Sequence, residues 1–309
     1  MSFSKRDFLS IDDVSRKDMD SIFRIARRFE SVARAKDKTR VLEGKILANL
    51  FFEPSTRTRM SFESAIQRLG GGFIDLGMVE ATSLAKGETF EDTIRVIDNY
   101  VDLLVIRHSQ EGKPKQAAAI ASAPVINAGD GTNEHPTQAV LDLYTIFREK
   151  GKIDGLNVTF LGDCKHARSF KSLALGLTRF NNVRVKFVSP PGLEMHQGII
   201  NELQRRGLEV EQSSDVRSAV ADADVLRVVR VMKERFSDQD EYERLRSSYV
   251  VDLKLLTHCK KDMIILHGLP RIDELATEVD STPHAVYFKQ VFYGLCTRMA
   301  LLYMILKRR

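Results

Sequence analysis

Short apolar runs that alternate with helical periodicity limit what this chain can fold into more than any other feature. Strand candidates are Ile46–Phe52, Phe73–Leu76, Leu103–Arg107, Val125–Ala128, Val158–Leu161, Val183–Val188, Val225–Val229 and Met263–His267. Helical stretches lie between most of them, among them Phe90–Tyr100, Thr137–Lys150 and Ser169–Phe180. A parallel strand is reached only by a long crossover, so this alternation implies parallel sheets covered by helices. Two such sheets, joined near Glu149–Gly155, are more economical than one sheet of eight or more strands. The 309 residues suffice for two domains. An amphipathic helix over Arg16–Ala35 precedes the alternation, with Met19, Ile22, Phe23, Ala26 and Phe29 on one face. A final helix, Tyr287–Lys307, is apolar on more than one side and is expected to be buried.

Composition excludes several classes. No apolar run approaches the length of a membrane span, and the first twenty residues lack the apolar core of a signal peptide. Cys164, Cys259 and Cys296 are odd in number, far apart and not in CxxC pairs. They point to a reducing, cytoplasmic setting rather than a disulfide framework or a structural zinc site. The net charge of +5 is mild and its basic residues are scattered, with no zinc-finger spacing, RNP-like aromatic run or basic block. Neither a membrane nor a nucleic acid is therefore expected as a partner. The absence of GxxxxGK[ST] and of a GxGxxG turn argues against a P-loop or a Rossmann dinucleotide site.

In open parallel sheets, ligands bind where strand carboxyl ends lead into helix N-termini, and several polar clusters fall there. The stretch FFEPSTRTRMSFE puts Arg57 and Arg59 at the start of a helix, whose partial positive charge disfavours them. A phosphate cradle built from Ser55, Thr56, Arg57 and Thr58 would reverse that penalty. The competing account is an exposed cap, made by Ser55 or Thr56, with the arginines paired to Glu53 or Glu63. Arg107 closes the strand LLVIRH and needs an anion, water or a neighbouring acid. The loop after Val125–Ala128 delivers His135 and Gln138 to a helix start, with Pro136 suited to the first helical position. The helix end should favour a neutral His135 imidazole. Arg168 and Arg230 follow two further strands, and Leu269–Pro270, a candidate cis peptide, follows the last. The polar loop holding Ser83, Lys86 and Gly87 is weak evidence by itself. Taken together, these clusters suit a substrate pair carrying several negative charges.

In this order the residues resemble the aspartate/ornithine carbamoyltransferases, over nearly the whole chain. The most specific pieces are FFEPSTRTRMSFE, SLAKGE, HPTQAVLDLYTI and KERF at Lys233–Phe236, and SLAKGE and HPTQ favour the aspartate branch. The resemblance implies an α/β chain of two domains, each a parallel sheet flanked by helices, with the C-terminal helix returning to the N-terminal domain. Residues 1–150 plus 285–309 would bind carbamoyl phosphate, and residues 151–284 aspartate. It further implies that Ser55, Thr56, Arg57 and Thr58 hold the phosphate and that Arg107 bridges phosphate and carbonyl oxygen. Thr58 and His135 would polarise the carbonyl, while Gln138 and the Leu269 backbone carbonyl hold the carbamoyl amide. Arg168 and Arg230 would bind the two aspartate carboxylates. Ser83 and Lys86 would reach into a neighbouring subunit of a homotrimer with shared active sites. Regulatory or dihydroorotase chains are candidate partners. Carbamoyl transfer from carbamoyl phosphate to L-aspartate needs no cofactor, metal or covalent nucleophile, in keeping with a site rich in Arg, Lys, His and Thr.

The chain departs from the family pattern at several places. Val229 and Met232 stand where threonine and glutamine are usual, Gly268 replaces the first proline of HPLPR, His166-Ala167 replaces Tyr-Gly, and Ser109 replaces a proline. Met232 lacks the amide hydrogen bonds of glutamine, which bears on the aspartate half of the assignment. Two other readings follow: a carbamoyltransferase for another amine, and a non-catalytic homologue with a structural or regulatory role. Arg168 and Arg230 favour a dicarboxylate acceptor, and the retained Ser55, Thr56, Arg57, Thr58, Lys86, Arg107 and His135 argue for catalysis.

Overall fold

The computed structural model describes residues 5–78, 82–232, 238–246 and 249–307. Lys233–Phe236, the KERF stretch, lies outside the described residues. The chain folds as two compact units, Met1–Tyr144 with Phe292–Arg309, and Thr145–Val291.

The first unit is built on a four-stranded parallel sheet of β1 (Ile46–Phe51), β2 (Gly72–Asp75), β3 (Leu103–His108) and β4 (Val125–Asp130), in the order β2-β1-β3-β4. β1, β3 and β4 are buried along most of their lengths, as strands covered on both faces must be. Helix α1 (Arg16–Arg34) starts at a capping box in which Ser15 and Asp18 each accept the other's backbone N–H. The stripe anticipated from its periodicity, Met19, Ile22, Phe23, Ala26 and Phe29, is its buried face. Helices α2 (Thr56–Arg68), α3 (Phe90–Asp98), α4 (Lys113–Ile120) and α5 (Pro136–Lys150) complete the crossovers, and α5 continues into the second unit.

The second unit carries a five-stranded parallel sheet of β5 (Asn157–Leu161), β6 (Arg184–Val188), β7 (Glu209–Ser213), β8 (Val225–Val228) and β9 (Ile264–His267), in the order β7-β6-β5-β8-β9. Its helices are α6 (Arg168–Leu177), α7 (Gln197–Arg205), α8 (Val216–Ala221), α9 (Gln239–Arg246) and α10 (Leu253–Leu256). β7 is absent from the strands expected from the apolar runs. As an edge strand of sequence EVEQS it leaves three of its five positions solvent-exposed and contains only one apolar residue, so no run marks it.

The last helix, α11 (Tyr287–Leu306), leaves the second unit and returns to the first. There Tyr303 packs edge-on against Phe29 of α1, and the Arg34 guanidinium lies over the Phe292 ring. Met299, Ala300, Leu301, Leu302, Met304 and Ile305 are all buried, which explains why its apolar pattern wraps more than one side. Cys164, Cys259 and Cys296 are free thiols. Among the described residues no helix is long and apolar enough to cross a membrane.

Gly162, the residue after β5, has φ +125°, and a Cβ built there would lie 2.1 Å from the backbone oxygen of Val229, the residue after β8. The two strand ends approach this closely only because the side chain is absent. Gly162→Ala is expected to destabilise the second unit by at least about 1–3 kcal/mol. The check is the urea midpoint, and an unchanged midpoint would contradict the argument.

Candidate active site

Each sheet reverses its strand order once, between β1 and β3 in the first unit and between β5 and β8 in the second. A crevice opens at the carboxyl end of such a switch point, because the two flanking connections depart in opposite directions. In both units the residues singled out from the sequence, apart from Ser83 and Lys86 after β2, follow three adjacent strands around that point.

In the first unit these are β1, β3 and β4. β1 runs through Phe52 into the N-terminus of α2, with Ser55 at the N-cap position. Helices α1 and α3 begin with a side-chain cap and an acidic first turn, but α2 has neither. Ser55 makes no side-chain capping hydrogen bond, so the expected cap is not formed. What remains is a helix end of uncompensated positive character, with Thr58 buried in its first turn and Arg57 exposed. The two arginines divide. Arg59 is engaged by Glu63, 3.1 Å away, and by Asp75 at 2.6 Å. Arg57 is partly desolvated, which lowers its pKa from the usual value.

Arg107 pairs in register with Phe51 at the end of β1. Its Nη2 lies 3.0 Å from Oε1 of Glu53, an acid whose partner was expected to be an arginine of the STRTR stretch. Its Nη1 lies 3.5 Å from Nε2 of His135, so these two groups address the same space. His135 is buried, with Nδ1 3.4 Å from Oγ1 of Thr137, and Pro136 opens α5 as anticipated. Gln138, in the first turn, donates from Nε2 to Oδ1 of buried Asp142 at 2.8 Å, leaving Oε1 as its acceptor. Ser83 and Lys86 sit exposed on a 3₁₀ turn, Ser83–Lys86. Among the described residues none of their contacts reaches Arg107 or His135.

In the second unit the three strands are β5, β8 and β9. Arg168 is the first residue of α6, after β5, and Arg230 follows β8, with Nη1 3.3 Å from the Val231 carbonyl oxygen. The two strand ends are tied by Asp163, fully buried, which accepts from the backbone N–H of His166 at 3.0 Å and of Met232 at 3.4 Å. His166 also places Nδ1 3.0 Å from the same carboxylate.

β9 ends in His267-Gly268-Leu269-Pro270, and the Leu269–Pro270 peptide is cis. Leu269 has φ +51°, and its N–H donates to Nδ1 of His267 at 2.8 Å. A neutral ring in that role carries its proton on Nε2, 2.8 Å from Oε1 of Glu274, although the two atoms lack the alignment of a hydrogen bond. Oε2 of Glu274 accepts the N–H of Ile272 at 3.1 Å, so one buried pair holds both ends of the turn. Gly268 also has a local reason. A Cβ there would lie 3.2 Å from Nη2 of Arg227, a guanidinium only 1% exposed that donates to the Val228 carbonyl. Sequence reasoning missed Asp142, Arg227 and Glu274, because each is defined by a partner or by burial that no local pattern marks, and it named Glu53 with the wrong partner. Among the described residues no group of three or more His, Cys, Asp and Glu side chains could hold a metal ion.

Two family models match almost the entire chain. Residues 6–148 match the carbamoyl-P binding domain of aspartate/ornithine carbamoyltransferase, and residues 154–305 match its Asp/Orn binding domain. The chain belongs to the aspartate/ornithine carbamoyltransferase family. Among carbamoyltransferases it is 51% identical to the aspartate carbamoyltransferase catalytic subunit of Pyrobaculum islandicum, over 98% of each chain. The catalytic subunit of M. jannaschii aspartate transcarbamoylase superposes with a TM-score of 0.92, at 44% identity and 99% coverage of both chains. Aspartate transcarbamoylase from Trypanosoma cruzi, solved with carbamoyl phosphate and aspartate, matches with a TM-score of 0.92 and 37% identity, covering 97% of this chain and 96% of that one. The first-unit residues from Ser55 to Gln138 thus fall in the carbamoyl-P binding domain of the carbamoyltransferase pattern, and Arg168, Arg230 and Leu269 in its Asp/Orn binding domain.

Burial lowers the His267 pKa below its ordinary value, with the nearby Arg227 charge adding to the effect and Glu274 opposing it. As pH falls through the ordinary imidazole pKa of about 6.5, the unfolded chain gains a proton that the folded ring resists, and stability is lost. Unfolding free energy should therefore fall more steeply from pH 7 to pH 5.5 in the parent than in His267→Asn, whose amide oxygen can still accept the Leu269 N–H. Parallel curves in denaturant titrations would show that His267 is not the linked group.

Proposed function

We propose that this chain transfers the carbamoyl group of carbamoyl phosphate to the amino group of L-aspartate, giving N-carbamoyl-L-aspartate and phosphate in pyrimidine biosynthesis. The observation that carries the reading is the end-to-end match to a structure holding both of those substrates. The placement of cationic and donor groups at both switch points agrees with it.

In this reading the uncapped N-terminus of α2, with Ser55, Thr56, Arg57 and Thr58, takes the phosphate. Arg107 bridges phosphate and carbonyl oxygen, and Thr58 and His135 donate to that oxygen as it becomes an oxyanion. Gln138 and the Leu269 carbonyl hold the carbamoyl amide, while Arg168 and Arg230 bind the carboxylates of aspartate. The neutral amine of aspartate attacks the carbonyl carbon and the bond to the phosphate oxygen breaks. The departing phosphate accepts the amine proton. Orientation of two anionic substrates supplies much of the rate, since the reaction becomes effectively unimolecular once both are bound.

Ser83 and Lys86 act in the site of a neighbouring subunit of a homotrimer. Their exposure supports this, as do the exposed Met60 on α2, Ile74 on the edge strand β2 and Met78 just beyond it. The working compartment is the cytoplasm. Regulatory or dihydroorotase chains remain candidate partners.

Purified chain given carbamoyl phosphate should release phosphate with aspartate and not with a panel of other amines. Release only with another amine would change the acceptor, and no release from folded trimer would favour the non-catalytic reading. His135→Ala should lower kcat by about 10²–10³-fold, the usual cost of an oxyanion donor. Sedimentation should give three times the 35.0 kDa chain mass. Mixing inactive Lys86→Ala and Arg107→Ala trimers under conditions of subunit exchange should restore activity, whereas sites confined to one chain would stay inactive. Met232→Gln should tighten aspartate binding by roughly severalfold to a hundredfold, the worth of one hydrogen bond to a charged or neutral group. No gain would show that Met232 does not limit aspartate binding.

A further inference from the structure

Gln138 is able to recognise the carbamoyl NH₂ only if its carbonyl oxygen, and not its own NH₂, faces the substrate. The two ends of an amide side chain are nearly isosteric, so shape alone does not select the orientation. Asp142, one turn further along α5, selects it. A carboxylate only accepts, and it takes the Gln138 Nε2–H at 2.8 Å. Asp142 is 0% exposed, and a carboxylate so buried calls for a compensating cation nearby.

The C-terminal helix carries a buried cation close to Leu141, the neighbour of Asp142. Arg298 of α11 is 5% exposed, donates from Nη1 to Oγ of Ser61 on α2 at 3.1 Å, and lies over the Phe62 ring. Burial lowers its pKa to about 10, with the charge of Asp142 acting in the opposite direction, so it remains a cation at neutral pH. Gly294, one turn earlier on α11, makes room for it. A Cβ there would lie 3.0 Å from Nη1 of Arg298 and 3.2 Å from Cδ2 of Leu141, the neighbour of Asp142.

We propose that Asp142 and Arg298 are positioning residues that lock the Gln138 amide with its oxygen toward the substrate, and so set the preference for a carbamoyl over an acyl phosphate. This rests on the reading that Gln138 meets the carbamoyl amide. Neither residue touches substrate; both act through Gln138. Acetyl phosphate is the discriminating probe, because a methyl group replaces the NH₂ and gives Gln138 nothing to accept. A purely structural defect would weaken both ligands together, while loss of the lock weakens carbamoyl phosphate alone.

The test measures binding of carbamoyl phosphate and of acetyl phosphate to folded trimer for the parent, Gln138→Ala, Asp142→Asn and Gly294→Ala. The parent should prefer carbamoyl phosphate, and Gln138→Ala should reduce that preference by about two- to tenfold, the range for one neutral hydrogen bond. Asp142→Asn, nearly isosteric but free to turn its own NH₂ toward Gln138, should reduce it by a comparable factor. Gly294→Ala displaces the guanidinium without altering any group assigned to the substrate, and should shift the preference in the same direction. An unchanged preference in both Asp142→Asn and Gly294→Ala, with Gln138→Ala still shifted, would overturn the lock and leave the role of Gln138 standing. An unchanged preference in Gln138→Ala would overturn that role and the lock with it. If Asp142→Asn does not fold, Gly294→Ala decides.

Discussion

Parallel pairing of strands that are not consecutive, β1 with β3 and β5 with β8, is the constraint on which the remaining organisation depends. Each pairing sends two connections away in opposite directions and leaves loops and helix N-termini around a single point of the sheet edge. Residues far apart in sequence become neighbours without any long-range recognition between them. Phe51 and Arg107 are register partners, and Leu161 pairs with Val228. The polar residues that follow those positions inherit the proximity. Because the strands are buried on both faces, register is strongly specified, and a slip would move the buried set into the wrong environment.

The same logic explains which parts of the molecule could be read from the amino-acid sequence. Strands buried on both faces are predominantly apolar runs, and of the nine strands among the described residues eight carry such a run, the partly exposed edge strand β2 included. EVEQS does not, since an edge strand needs no apolar run. Polar residues at strand ends were legible as a group because burial disfavours them within the strand, although Arg227 and Asn49 are buried inside β8 and β1. Partnership was less legible. The sequence offered Glu53 and Glu63 as acids for the STRTR arginines. Glu63 does engage Arg59, whereas Glu53 engages Arg107, more than fifty residues away. The cap expected from Ser55 is also missing, because an N-cap residue type does not dictate that its side chain turns inward.

The links lost to sequence reasoning are those made between helices. Asp142 belongs to an apolar helix, HPTQAVLDLYTI, in which one acid looks like an ordinary solvated residue, yet it is fully buried. Arg298, in the most apolar helix of the chain, has no local reason to be there. Its partners are the Ser61 hydroxyl and the Phe62 ring of α2, met only because α11 returns to the first unit. Gly268 likewise looked only like a departure from the HPLPR turn. In the fold it faces a buried guanidinium and belongs to a turn held by the His267–Glu274 pair.

Glu53 gives the Arg107 guanidinium a different significance from that of an empty anion receptor. With Nη2 already 3.0 Å from a carboxylate, Arg107 holds an internal anion that presets its direction before any external one arrives. In the proposed reading, an incoming dianion must either displace that carboxylate or share the guanidinium with it. Its affinity then measures an exchange between two anions rather than the capture of one. Much of the strength of the final ion pair is thereby converted from tight binding into orientation.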